Sequence, residues 1–205
     1  VLVDASRGGL TALLAEGESW SAAEWVRWAV EQYAPYRAWQ VLNDRYDDQV
    51  EQTVCQFSQW YLSEYTNLQQ NADLSVANAL QGLSSPDAQA ELSLVLLVDC
   101  LPLGFVGLLE DALRDVGFSR HQGGHRLAAL PTATDWNKPV LLSGEWDQPN
   151  ATYEKLLEKR AVNDWGSRPV TYLSSVKALL DLPAATEPAV VVLNLHAARM
   201  AKQIV

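Results

Sequence analysis

Two cysteines in 205 residues are too few for a disulfide framework. Cys55 lies on an apolar helical stripe and Cys100 follows an apolar run, so a reducing, cytoplasmic setting is expected. No apolar run approaches the roughly 18 residues of a membrane span. Basic residues are also short: 15 Lys and Arg stand against 25 Asp and Glu, a net charge of −10. Such a chain gains little from a nucleic-acid backbone, which excludes a broad nucleic-acid-binding surface. A small phosphoester site stays compatible, because a bound metal reverses the local sign of charge. The opening VLVDASRGGL has no initiator Met and no signal-peptide pattern, and reads as a segment cut from a longer protein.

What is present is a globular composition, 48% apolar, long enough for one substantial core and a small second unit. The first part, residues 1–90, reads as helical. Ser21 and Glu24 form a capping box ahead of Trp25 and Trp28, and Pro35 is expected to break or kink that helix. A second helical pattern runs from about Tyr36 to Leu68. Its aromatics, among them Phe57, Trp60, Tyr61 and Tyr65, recur at three- and four-residue steps and read as core packing. The polar stretch 69–92 holds a short helix and the connection Ser84-Ser85-Pro86.

The character changes over 91–205. LSLVLLVD is an apolar run of strand length without alternation, which suits a central strand covered on both faces. A helical pattern from Phe105 to Val116 stops at Gly117, and RLAAL at 126–130 reads as a second strand. Helices are expected from about Thr134 to Gly144, at 152–160 and at 174–181, before a third strand at 189–193. The fold class is therefore α/β: a helical N-terminal part, then a mainly parallel sheet flanked by helices. The three strands at 94–99, 126–130 and 189–193 should be neighbours.

Ligands of open parallel sheets bind beyond the carboxyl ends of the strands, where Asp99 sits. A carboxylate leaving an apolar strand must be paired, capping or bound to a metal. Thr134 lies where a strand gives way to a helix, and helix starts offer unpaired N–H groups to phosphate oxygens. Pro139 places that helix start near Thr134 or Asp135, with the missing N–H in the first turn. Asn137 could then donate to a phosphate oxygen. The plainer alternative makes Asp99 and Thr134 ordinary caps.

The run Pro131-Thr132-Ala133-Thr134, then Asn137, then Leu142-Ser143-Gly144, resembles the nucleophile segment of the alkaline-phosphatase superfamily, closest to its nucleotide pyrophosphatase and PglZ branches. VLLVDCLP at 95–102 resembles the first metal-ligand motif of those families. FSQWYLSEYTNL is similar to the helical segment that precedes the catalytic part of PglZ domains. The likeness spans roughly residues 55–196, with the motifs in order. It implies the front part of an alkaline-phosphatase-like domain with a two-zinc phosphoesterase site. In that site Asp99 is a metal ligand, Thr134 the metal-bound nucleophile and Asn137 a contact to the substrate phosphate. It also implies a phosphatase or phosphodiesterase acting on a phosphoester substrate, in the company of other phage-defence proteins of BREX type.

The chain departs from that pattern after the third strand. An Asp is expected near Asn194-Leu195-His196, and the later Asp-His pair is not reached, so little phosphoesterase activity is expected of this piece alone. His196 reads as a satisfied or capping histidine. His121 and His125 flank Gly123-Gly124 and lack the helical i, i+4 spacing of a zinc pair, so they read as a loop. The alternative to an enzyme is a non-catalytic scaffold of a defence complex with an incomplete metal site. A third possibility is a phosphate- or nucleotide-sensing domain that uses the Thr134 helix start without chemistry.

Overall fold

The computed structural model describes residues 20–44, 48–84, 92–119, 124–130, 132–146, 151–184 and 187–196. It is an α/β protein whose residues divide into two compact units: Val1–Asn67 with Leu101–His125, and Leu68–Cys100 with Arg126–Val205. This division falls elsewhere than at residue 90, because the chain leaves the first unit at Leu68 and re-enters it after Cys100. The Ser85-Pro86 connection, His121 and Pro131 lie outside the described residues.

In the first unit, helix α1 (Ala22–Trp28) opens on the expected capping box. The Ser21 N–H donates to the Glu24 carboxylate at 2.8 Å, and the Glu24 N–H donates back to the Ser21 hydroxyl at 3.4 Å. Pro35 does not end the helix. A π-helical turn, Ala29–Tyr33, precedes it, with the Ala34 N–H bonding to the Ala29 carbonyl, and α2 (Ala34–Asn43) carries Pro35 in its first turn. The wider turn makes room for a ring that would otherwise strike a carbonyl of the preceding turn. The helical pattern from Tyr36 to Leu68 is two helices rather than one. Asp44, at φ 49, ends α2 in the left-handed conformation, and α3 (Asp48–Gln70) starts anew.

The aromatics pack on one another as their spacing implies, but Phe57, Trp60, Tyr61 and Tyr65 are half-buried, and the rings buried among the described residues of this unit are Trp25, Trp28 and Tyr36. Trp25 stacks on Trp60 at 5.8 Å between centroids and meets Phe57 edge-on at 5.7 Å. Cys55 departs from its apolar stripe and is exposed; it and Cys100 are both free. Gly104 packs so closely on α2 that an added Cβ would lie 2.7 Å from the Ala38 Cβ. Helix α4 (Val106–Asp115) follows, and Gly117 at φ 95 stops it as expected.

The second unit is built on three parallel strands, β1 (Leu92–Asp99), β2 (Val170–Leu173) and β3 (Ala189–His196), in the order β1-β3-β2. Helices α5 (Thr134–Ser143), α6 (Tyr153–Asp164) and α7 (Val176–Leu180) accompany the sheet. Two of the three expected strands are therefore neighbours, and the third is not in the sheet. Residues 126–130 make only an isolated bridge, Leu127 to Ser75, with the Leu127 N–H on the Leu74 carbonyl at 2.7 Å. Its place is taken by VTYL at 170–173, a run too short and too polar to stand out. The central strand is β3, whose Val190 to Leu193 are buried. β1 lies at an edge of the sheet instead of its centre. Val95 joins Leu142, Leu156, Leu157 and Trp165 in the core. On the opposite face of β1, Leu92, Leu94 and Leu96 stay 47%, 50% and 40% exposed, so only one face is covered.

One buried cation ties the helices together. Arg160 on α6 is 1% exposed. Its Nη1 donates to the Leu141 carbonyl at 2.8 Å and to the Ala77 carbonyl at 3.0 Å. Its Nε lies 3.2 Å from the Asp164 carboxylate, in a pair too bent to count as a hydrogen bond. Burial pulls the guanidinium pKa down and Asp164 opposes it. Arg160→Ala strands two carbonyls and is expected to destabilise the protein by about 3 kcal/mol, read as a shift in the urea unfolding midpoint.

Candidate functional site

The carboxyl edge of the sheet brings the chemistry-bearing residues of the second unit together. β1 and β3 run parallel in a register that pairs Asp99 with His196, so both strands end at the same level. Cys100, the next residue, has φ 61, a left-handed conformation uncommon outside glycine that turns the chain out of the strand. Its Sγ lies 3.7 Å from Asp99 Oδ1. Ligand atoms of Asp99, Cys100 and His196 all fall within 4.8 Å of one another.

Thr134 is the first residue of α5. The residue before it, Ala133, has no side chain able to cap. The Thr134 hydroxyl donates to Asp99 Oδ1 at 3.3 Å. This is the facing arrangement expected of two groups that end one run and begin another at the same sheet edge. One turn along α5, Lys138 donates from Nζ to Asp99 Oδ2 at 3.2 Å, with side chains only 11% and 21% exposed. The same ammonium stands 5.8 Å from the centroid of the Tyr153 ring. The two carboxylate oxygens are thus divided: Oδ2 faces Lys138, and Oδ1 faces Thr134 and Cys100. Burial raises the Asp99 pKa, but the Lys138 hydrogen bond and charge, with the Thr134 and Cys100 donors, outweigh it and leave it below the usual carboxylate range. Nearby Tyr172 is pushed up, chiefly by burial, against a hydrogen bond to Asn194 that lowers it.

Asn137 is engaged by backbone groups. Its Oδ1 accepts from the Ala129 N–H at 2.5 Å, and its Nδ2 donates to the carbonyls of Ala129 and Ala133 at 3.1 and 3.2 Å. The amide holds the segment that enters α5. Pro139 falls elsewhere than expected. It is the sixth residue of α5, in the second turn, so the Asp135 carbonyl receives no i+4 N–H. His125 is exposed on a coil segment of the first unit.

Lys138 and Cys100 escape the sequence reading, and His196 reads there as a satisfied or capping histidine. Lys138 carried a usable signal, since i+4 from Thr134 is the same helix face. Cys100 is adjacent to Asp99. His196 is placed only by the register of two strands far apart in sequence, which no local pattern reveals.

Asn137→Ala should cost about 1–3 kcal/mol in equilibrium unfolding, because Ala129 is fully buried and loses a partner at both its N–H and its C=O. An unchanged midpoint would return Asn137 to the role of a substrate contact.

Compared with known proteins, the chain matches no protein-family model and has no significant match among curated sequences.

Proposed function

We propose that the chain carries the nucleophile end of a metal-dependent phosphoesterase of PglZ type, within the alkaline-phosphatase superfamily. The observation that carries this reading is the Thr134 hydroxyl at 3.3 Å from Asp99 Oδ1, at the carboxyl edge of a parallel sheet. A hydroxyl on the first residue of a helix stands beside backbone N–H groups that can hold phosphate oxygens while it attacks phosphorus. Asp99 orients that hydroxyl. Lys138 supplies positive charge on the same helix face and holds the carboxylate from its other oxygen.

The donor set fits zinc, since carboxylate, imidazole and thiol all lie at this edge. When bound, the metal supplies Lewis acidity and makes the hydroxyl a better nucleophile at neutral pH. Thr134 would lose its proton to solvent water as its Oγ1 forms the bond to phosphorus. The bond from phosphorus to the leaving alcohol breaks, and the alkoxide departs with a proton from solvent. Water later cleaves the phosphothreonine. The context that goes with this reading is bacterial phage defence in the cytoplasm, beside other defence proteins, with a second zinc in the complete site.

One observation favours the second reading, a non-catalytic interaction module: Lys138 already neutralises Asp99 without a metal. Phosphoryl transfer separates the two more sharply than turnover. The zinc-loaded protein, incubated with an activated aryl phosphate, is expected to release the phenol and gain one phosphoryl group at Thr134 by peptide mass spectrometry. Chelator and Thr134→Ala should both abolish the transfer, the variant staying within about 1 kcal/mol of the parent in stability. Neither phenol release nor a modified Thr134 would leave the scaffold reading standing.

A further inference from the structure

We infer that Asp99, Cys100 and His196 are the three protein ligands of one zinc ion, with the Thr134 hydroxyl in the open fourth position. The placement of Thr134 rests on the phosphoesterase reading; the three-ligand set does not. Sulfur at such a site is signalled by neither the strand pattern nor the motifs of the sequence.

The geometry is what a tetrahedral ion needs. Zinc–oxygen and zinc–sulfur bonds of about 2.0 and 2.3 Å at tetrahedral angles separate the two ligand atoms by about 3.5 Å. Asp99 Oδ1 and Cys100 Sγ are 3.7 Å apart. Two oxygens on one zinc stand about 3.3 Å apart by the same construction. Asp99 Oδ1 and Thr134 Oγ1 are 3.3 Å apart. One ligand atom from each of Asp99, Cys100 and His196 lies within 4.8 Å of the other two, so closure onto an ion requires these side chains to draw together. Cys100 and His196 are exposed.

The backbone supports the same assignment. Cys100 holds φ 61, where a β-carbon is disfavoured, and that turn sets its sulfur beside the carboxylate. His196 is the register partner of Asp99 across the β1–β3 ladder. Lys138 does not compete for the ion, because it holds Oδ2 and leaves Oδ1 to the metal side. It acts as the outer partner that fixes the orientation of a ligating carboxylate. A thiolate and a carboxylate together balance a divalent ion, so Lys138 leaves the site net positive, as an anionic phosphate group requires. One sulfur and one imidazole also set the metal class: zinc or cobalt is held, and magnesium or calcium is not.

Cobalt(II) is the probe. Titration of the whole chain should give one tightly bound ion with a thiolate-to-cobalt charge-transfer band in the near ultraviolet and the strong visible bands of tetrahedral coordination. Zinc should displace it and magnesium should not. Cys100→Ser should remove the charge-transfer band, and His196→Ala should weaken zinc binding roughly tenfold or more by calorimetry. Cys55→Ser, at the exposed cysteine of the other unit, should leave the spectrum unchanged. Absence of the band in the parent protein, or its persistence in Cys100→Ser, overturns the ligand set. Phosphoryl transfer to Thr134 without a thiolate band would retain the phosphoesterase and discard this inference. The band without transfer would retain the zinc site and discard the enzyme.

Discussion

A guanidinium with no exit to water governs the second unit. Arg160 sits under the C-terminal end of α5, where the Leu141 carbonyl and the negative pole of the helix dipole meet it. Removing such a charge from water costs several kcal/mol, which is recovered only if its donors find fixed partners. Here Nη1 finds them in the Leu141 carbonyl at the helix end and in the Ala77 carbonyl, while Nε and Nη2 have no hydrogen-bond partner among the described residues and Asp164 supplies charge alone. The C-cap of α5, Gly144 at φ 77, is part of the same constraint, because an added Cβ would come within 3.0 Å of Arg160 Nη1. A helix pinned at one end can place its other end accurately, and that end presents Thr134.

The start of α5 is held by a separate set of bonds. Asn137 reaches back to Ala129 on both sides of its amide, so the approach to the helix is built by a side chain rather than by a sheet ladder. This explains why RLAAL, apolar enough for a strand, is not one: its polar groups find partners in Asn137 and in the Leu74 carbonyl. Lys138 and Thr134, one turn apart, then close on opposite oxygens of Asp99. Arg160, Asn137 and Asp99 thus hold α5 at its end, its approach and its exposed face.

The parts of this arrangement that could be read from the sequence are those with a local cause. The apolar runs ending at Asp99 and near His196 mark two strands, and Gly117 and Gly144 mark the ends of two helices. The parts that could not be read depend on pairing at a distance. Four residues, VTYL, become β2 only because β3 offers an edge to them. The apolar continuity of β1 implied two covered faces, yet Leu92, Leu94 and Leu96 show that the same pattern fits an edge strand covered on one. Cys100 and His196 gained chemical meaning only once the β1–β3 register was known.

The position of β1 has a mechanical corollary. Within the three-stranded sheet it is bonded to β3 alone, so the carboxylate at its tip is anchored by a single ladder. Opening of that ladder from the His196 end moves Asp99 away from Thr134 without unfolding α5, and the free energy of this local opening is part of the affinity of anything bound there. A strand laid along the outer edge of β1 would add a second ladder and stiffen the tip, coupling events along the whole length of that edge to the chemistry at its end.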